Sequence, residues 1–71
     1  MNSHLELKNK VKEFRLAKGW SQAELAEEAN TSRNTINSIE NGRFCPTAYL
    51  AAILCIVFDC KFEDLFELER K

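Results

Sequence analysis

The chain has 71 residues, with ten Lys/Arg against eleven Asp/Glu and a formal net charge of −1. A domain this small buries only about 60% of its unfolded surface, so it depends on tight helix packing, dimerisation, disulfides or a metal. A charge near zero excludes a protein that coats nucleic acid by bulk charge; any phosphate contact must come from placed groups.

Leu5-Glu6-Leu7-Lys8 alternates apolar and charged residues, the period of a strand. A first helix is expected from about Asn9 to Lys18, with Val11, Phe14 and Ala17 at helical spacing, Asn9 as its cap and Gly19 at its end. A second begins at Ser21-Gln22-Ala23-Glu24, a capping box in which the serine hydroxyl and the glutamate satisfy each other's backbone amides. Trp20 and Leu25 flank that box as a hydrophobic staple, and the helix runs through Ala26 and Ala29 to Asn30. A third follows Ser32, a good N-cap, and passes Ile36 and Ile39 to Asn41-Gly42. A fourth starts near Thr47, behind Pro46, and ends near Phe58, with Leu50, Leu54 and Phe58 as its inner stripe. A short fifth spans about Phe62 to Phe66, and Phe66–Arg70 alternates like the N-terminal segment. The two ends predict a small antiparallel pair, which is marginal alone and needs support.

No nucleophile–base set, paired carboxylates at an apolar site or phosphate-binding loop is readable, so neither an enzyme nor a cofactor is expected. Cys45, Cys55 and Cys60 are odd in number and form no Cys-x-x-Cys pair, which argues against a disulfide framework and a zinc site. They are expected as reduced, small apolar core residues, in keeping with a cytoplasmic protein. The single histidine, His4, reads as a surface residue. The longest apolar run, Tyr49 to Phe58, is too short to span a bilayer and lacks signal-peptide flanks. Charge is mildly uneven: residues 1–46 hold seven basic and six acidic side chains, residues 47–71 three and five.

The informative feature is the pair of short helices joined through Asn30-Thr31-Ser32. That spacing sets two helices at a steep angle and leaves the second free to enter a major groove. The outward face of helix three carries Arg33, Asn34, Asn37 and Ser38 and no acid. A guanidinium, amides and a hydroxyl are the groups that read base edges.

The stretch Trp20-Ser21-Gln22-Ala23-Glu24-Leu25-Ala26, then Thr31-Ser32-Arg33-Asn34-Thr35-Ile36, then Ile39-Glu40-Asn41-Gly42, resembles the Cro/C1-type (XRE) family of phage and bacterial repressors. The likeness extends over nearly the whole chain, with Pro46-Thr47 through Leu65-Phe66 similar to that family's last two helices. It implies an all-α, five-helix repressor-like domain over residues 1–71. The helix-turn-helix falls at about 21–42, and a dimerisation region at about 47–71 joins an N-terminal strand at 5–8. It implies binding of operator DNA, a double-stranded partner, as a homodimer; two-fold symmetry then calls for an inverted-repeat operator, and the chain is read as a sequence-specific regulator acting as a repressor.

By position, Arg33 and Asn34 match the main base readers, and Asn37 and Ser38 the secondary ones. Gln22, Ser32, Thr35, Asn41 and Arg43 match contacts to the DNA backbone, with two open alternatives: Asn41 as a helix-end residue and Thr35 as support for the helix. Arg15 and Glu40 match an ion pair between helices one and three. Two departures stand out. Asn30 replaces the usual turn glycine and is the next-best residue for a left-handed angle. Lys61 replaces the usual Ser or Thr cap, so helix five should start less firmly. A third difference is a second apolar stripe on helix four, Tyr49, Ile53 and Ile56. It is read as a subunit interface, joined by Phe66 and Leu68, in preference to a helix buried on all sides. An antitoxin-like or other protein-binding module on the same fold is the second reading.

Overall fold

A computed structural model describes residues 5–70 and orders them as β1 (Leu5–Asn9), α1 (Val11–Ala17), α2 (Gln22–Glu28), α3 (Arg33–Glu40), α4 (Ala48–Phe58), α5 (Phe62–Leu65) and β2 (Phe66–Arg70). His4 lies outside the described residues. The five helices and the small terminal sheet match the architecture read from the sequence. β1 and β2 pair antiparallel, with Leu5 opposite Arg70, Leu7 opposite Leu68 and Asn9 opposite Phe66. Their support comes from the helices at one end of the sheet, where Asn9 lies opposite Phe66. Lys10 N–H donates to Leu65 O at 2.9 Å, and Asn9 Nδ2 donates to Ile39 O at 3.0 Å.

The helix boundaries follow the capping chemistry. Ser21 Oγ accepts from Glu24 N–H at 3.0 Å while Glu24 Oε1 accepts from Ser21 N–H at 2.7 Å, closing the capping box of α2. Ser32 Oγ accepts from Thr35 N–H at 3.1 Å, and Thr47 Oγ1 from Leu50 N–H at 3.1 Å. α2 stops at Glu28, two residues short of the expected end, and Asn30 takes a left-handed φ of 56°. Thr31 N–H then reaches back to Ala26 O at 2.9 Å, the bond that closes a helix through a left-handed residue. α4 ends in the same way through Asp59, φ 54°.

Four expectations are corrected. α1 begins at Val11, and Asn9 belongs to β1; its Oδ1 still accepts from Val11 N–H at 3.0 Å, so it caps the helix from the strand. Ala17 is exposed, because it lies six residues past Val11, about 120° off the face that Val11 and Arg15 bury. On α4 the buried stripe is Ala51, Leu54 and Phe58, with Leu50 only half-buried. α5 ends at Leu65, and Phe66 is already extended in β2. Lys61 offers α5 no side-chain oxygen, but Asp64 Oδ2 accepts from Lys61 N–H at 3.1 Å, so the helix start is held from inside its first turn.

The core gathers Val11, Leu25, Ile36, Ile39, Leu54 and Leu65 at 2% exposure or less, with Phe58 ringed by Phe14 and Trp20 at centroid distances of 5.6 and 6.2 Å. Ala26 and Ala29 are buried where α2 meets α3, and their size permits the close approach of the two helices. Cys45 departs from the expected core role and is exposed. Cys55 and Cys60 are partly buried at the end of α4, where Cys60 N–H donates to Cys55 O at 3.0 Å. Burial pushes both thiols above the ordinary cysteine value.

Candidate nucleic-acid interface

The α2–α3 unit is fixed from behind by one charged group. Arg15, on the buried face of α1, donates from Nε to Glu40 Oε2 at 2.6 Å and from a terminal nitrogen to Glu40 Oε1 at 3.2 Å. Its other terminal nitrogen donates to Trp20 O at 2.8 Å. The arginine and glutamate side chains are 9% and 3% exposed, so the pair sits in a medium where a stranded charge is costly. Gln22 joins the cluster, donating from Nε2 to Glu40 Oε1 at 3.0 Å. The last residue of α3 is thereby tied to the start of α2 and the body of α1.

With its inner side held, α3 turns the other side outward. Ile36 and Ile39 point into the core, while Arg33 and Asn34 are exposed and Asn37 and Ser38 half-exposed. No acid occupies its first turn. Ser32 Oγ and Thr35 Oγ1 lie 2.8 Å apart beside the capped N-terminus, and Thr35 is partly buried there. Asn37 accepts from the Asn41 amide, so these two amides are linked along the helix. Asn41 and Arg43 are exposed beyond its end.

The loop after α3 folds back on the helix. Arg43 N–H and Phe44 N–H both donate to Ser38 O, at 2.9 and 3.3 Å. Asn34, Thr35, Ser38, Arg43 and Phe44 together line a shallow concavity of about 310 Å³ on the outer side. Phe44 was not singled out in the sequence. The signal available was an aromatic residue in a short polar connection, with no helical period to draw it into the core.

The apolar candidates separate into two kinds. Tyr49 and Ile56 on α4 are both 77% exposed, and Leu68 on β2 is 63% exposed. Ile53 is half-buried and packs against the core. Phe66 is corrected: at 3% exposure it is already a core residue of the single chain and has almost no surface to give to a partner. Its ring stacks on Phe62 at 4.9 Å, and Phe62, half exposed, presents the apolar surface at that edge. Among the described residues no helix is long and apolar enough to cross a membrane.

A helix-turn-helix family profile matches residues 11–65. The HTH-type transcriptional regulator YgzD of Bacillus subtilis is 43% identical over 92% of this chain and 98% of its own length. An HTH-type transcriptional regulator of Archaeoglobus fulgidus is 37% identical over 84% of this chain and 86% of its own. Among solved structures, the restriction-modification controller protein C.AhdI of Aeromonas hydrophila aligns over 76% of this chain and 82% of its own with a TM-score of 0.71 and 26% identity. The clp gene regulator ClgR of C. glutamicum aligns over 76% and 70% with a TM-score of 0.68 and 30% identity. The chain belongs to the Cro/C1-type (XRE) helix-turn-helix family of transcriptional regulators.

Proposed function

We propose that the protein is a cytoplasmic transcriptional repressor that binds an inverted-repeat operator as a homodimer. The observation that carries the reading is the face of α3: Arg33 and Asn34 exposed, Asn37 and Ser38 half-exposed, and no acid in the first turn to repel phosphate. Arg33 and Asn34 are the main base readers, suited to guanine and adenine edges respectively, with Asn37 and Ser38 secondary. Ser32, Thr35, Asn41 and Arg43 contact the DNA backbone. Gln22 does so as well, from the start of α2, with the amide hydrogen that its bond to Glu40 leaves over.

The whole chain serves as one unit in this reading. The helix-turn-helix at 21–42, with Arg43 just beyond it, meets DNA, and 47–71 with strand 5–8 meet the second subunit. A two-fold partner seated on Tyr49, Ile53, Ile56 and Leu68 covers the exposed apolar surface of α4 and the sheet. It also sets the two α3 helices about one DNA turn, roughly 34 Å, apart. Selection of bound duplexes from a random pool, with sedimentation equilibrium of the same preparation, tests the proposal. A selected palindrome and a stable dimer support it. Failure to enrich any duplex overturns the DNA-binding reading. A chain that stays monomeric until a different protein caps α4 favours the antitoxin-like alternative.

A further inference from the structure

Phe44 is an exposed aromatic ring placed beside polar side chains that have a task. It is 45% exposed and stands outside the core cluster. Its backbone is not loose: its own amide and that of Arg43 both bond to Ser38 O, which locks the loop against the end of α3. The ring shares one concavity with Asn34, Thr35 and Ser38. On its other side it lines a groove with Leu7 and Pro46, so it stands between the sheet and α3. The concavity therefore has the polar side chains of α3 and Arg43 around it and, beside them, an apolar ring whose backbone is held to Ser38 O.

The major groove offers one apolar feature to such a ring, the C5 methyl group of thymine. We infer that Phe44 reads a thymine methyl in each half-site, next to the base read by Asn34. The inference rests on the DNA-binding proposal above and adds a specificity determinant that the polar face of α3 lacks. Asn34 pairs best with adenine. The concavity then selects a step rich in A·T pairs, the amide taking an adenine edge and the ring taking a methyl.

Replacing dT by deoxyuridine removes that methyl and leaves every Watson–Crick group in place. The experiment measures binding of the full chain and of Phe44→Ala to a duplex selected from random DNA, with each thymine of one half-site replaced in turn by deoxyuridine. Circular dichroism confirms that the variant is folded. The wild type should lose about fourfold at one position, the loss of roughly one buried methyl group. Phe44→Ala should bind the unmodified duplex weaker by a similar factor and no longer distinguish dT from dU at that position. Wild-type binding that ignores every replacement overturns the inference, as does a Phe44→Ala variant that still discriminates. Equal weakening on the dT and dU duplexes also overturns it and assigns the ring to the sugar–phosphate edge. In those three cases an enriched duplex still supports DNA binding, whereas failure to enrich any duplex overturns both.

Discussion

Arg15 and Glu40, 25 residues apart, form a bidentate pair with contacts of 2.6 and 3.2 Å. The planar guanidinium fork makes this contact, and a lysine ammonium cannot repeat it. Either truncation leaves a largely buried charge. Each also leaves a residual partner: Gln22 for Glu40, and Trp20 O for Arg15. Arg15→Ala and Glu40→Ala should therefore each cost about 2–3 kcal/mol, at or below the low end for a broken buried pair. Urea unfolding with an unchanged m value measures this. A double variant should cost clearly less than the sum of the two single losses, because neither charge is then stranded. Single losses that simply add would mean the two side chains act independently.

Arg33 and Gln22 should respond differently to DNA sequence. Arg33→Ala removes an exposed side chain that supports nothing in the fold. It should relax base preference at one position of each half-site, a loss of roughly 1–3 kcal/mol there. Gln22→Ala should weaken binding to all duplexes about equally, since phosphate carries no sequence information. It should also lower stability by about 1 kcal/mol by taking a donor from Glu40. Affinity on selected and scrambled duplexes separates the two. A uniform loss for Arg33→Ala would remove it from the base readers.

The helices were legible because their signals are local. Capping residues such as Ser21, Ser32 and Thr47 lie next to the backbone amides they satisfy, and the periods of Ile36, Ile39 and Leu54 are read within one element. The terminal sheet was legible from alternation at both ends of the chain. What escaped depends on contacts between elements. Asn9 caps α1 as its sequence position indicates, yet it lies in a strand because β2 is there to pair with it, and no local rule adds that. Phe66 alternates with charged neighbours like a residue with one wet face, yet its buried side is the core itself. Gln22 turns toward Glu40 and Asn37 toward Asn41, which are rotamer choices that spacing does not fix. Phe44 had no period to mark it at all.

The thiols should react unequally. Only the thiolate alkylates, and burial raises Cys55 and Cys60, so less of each is ionised at a given pH. Cys45 is exposed, so reagent reaches its sulfur directly. In native protein at pH 8, iodoacetamide should modify Cys45 first and the other two several-fold more slowly. The gap should narrow as the pH climbs toward the raised values, and vanish in denaturant. Mass spectrometry of timed digests reads all three sites. Equal rates in the native state would mean that the end of α4 opens on the time scale of labelling.

Tyr49 and Ile56 lie two turns apart on α4, and each is 77% exposed. Burying an isoleucine side chain contributes roughly 1.5–3 kcal/mol. In a two-fold interface each such residue is buried twice, so this pair alone accounts for a large part of a dimer's free energy. Ile53, between them, is partly packed against the core, and a charge there would damage the fold as well as the interface. The cleaner variant is Tyr49→Lys/Ile56→Lys, which places charge on side chains the single chain does not bury. It should keep its helical circular dichroism and thermal transition at high dilution, sediment as a monomer, and lose most of its affinity for a palindromic duplex. Binding to a single half-site should fall far less, because the α3 face of each subunit is untouched. Leu68→Lys, exposed on β2 two residues beyond the buried Phe66 and on the same face of the strand, should weaken the dimer more modestly if the sheet lies at the margin of the contact. A double variant that still dimerises would place the interface away from α4. A wild type that remains monomeric at high micromolar concentration would remove the homodimer and leave the apolar stripe to a different protein.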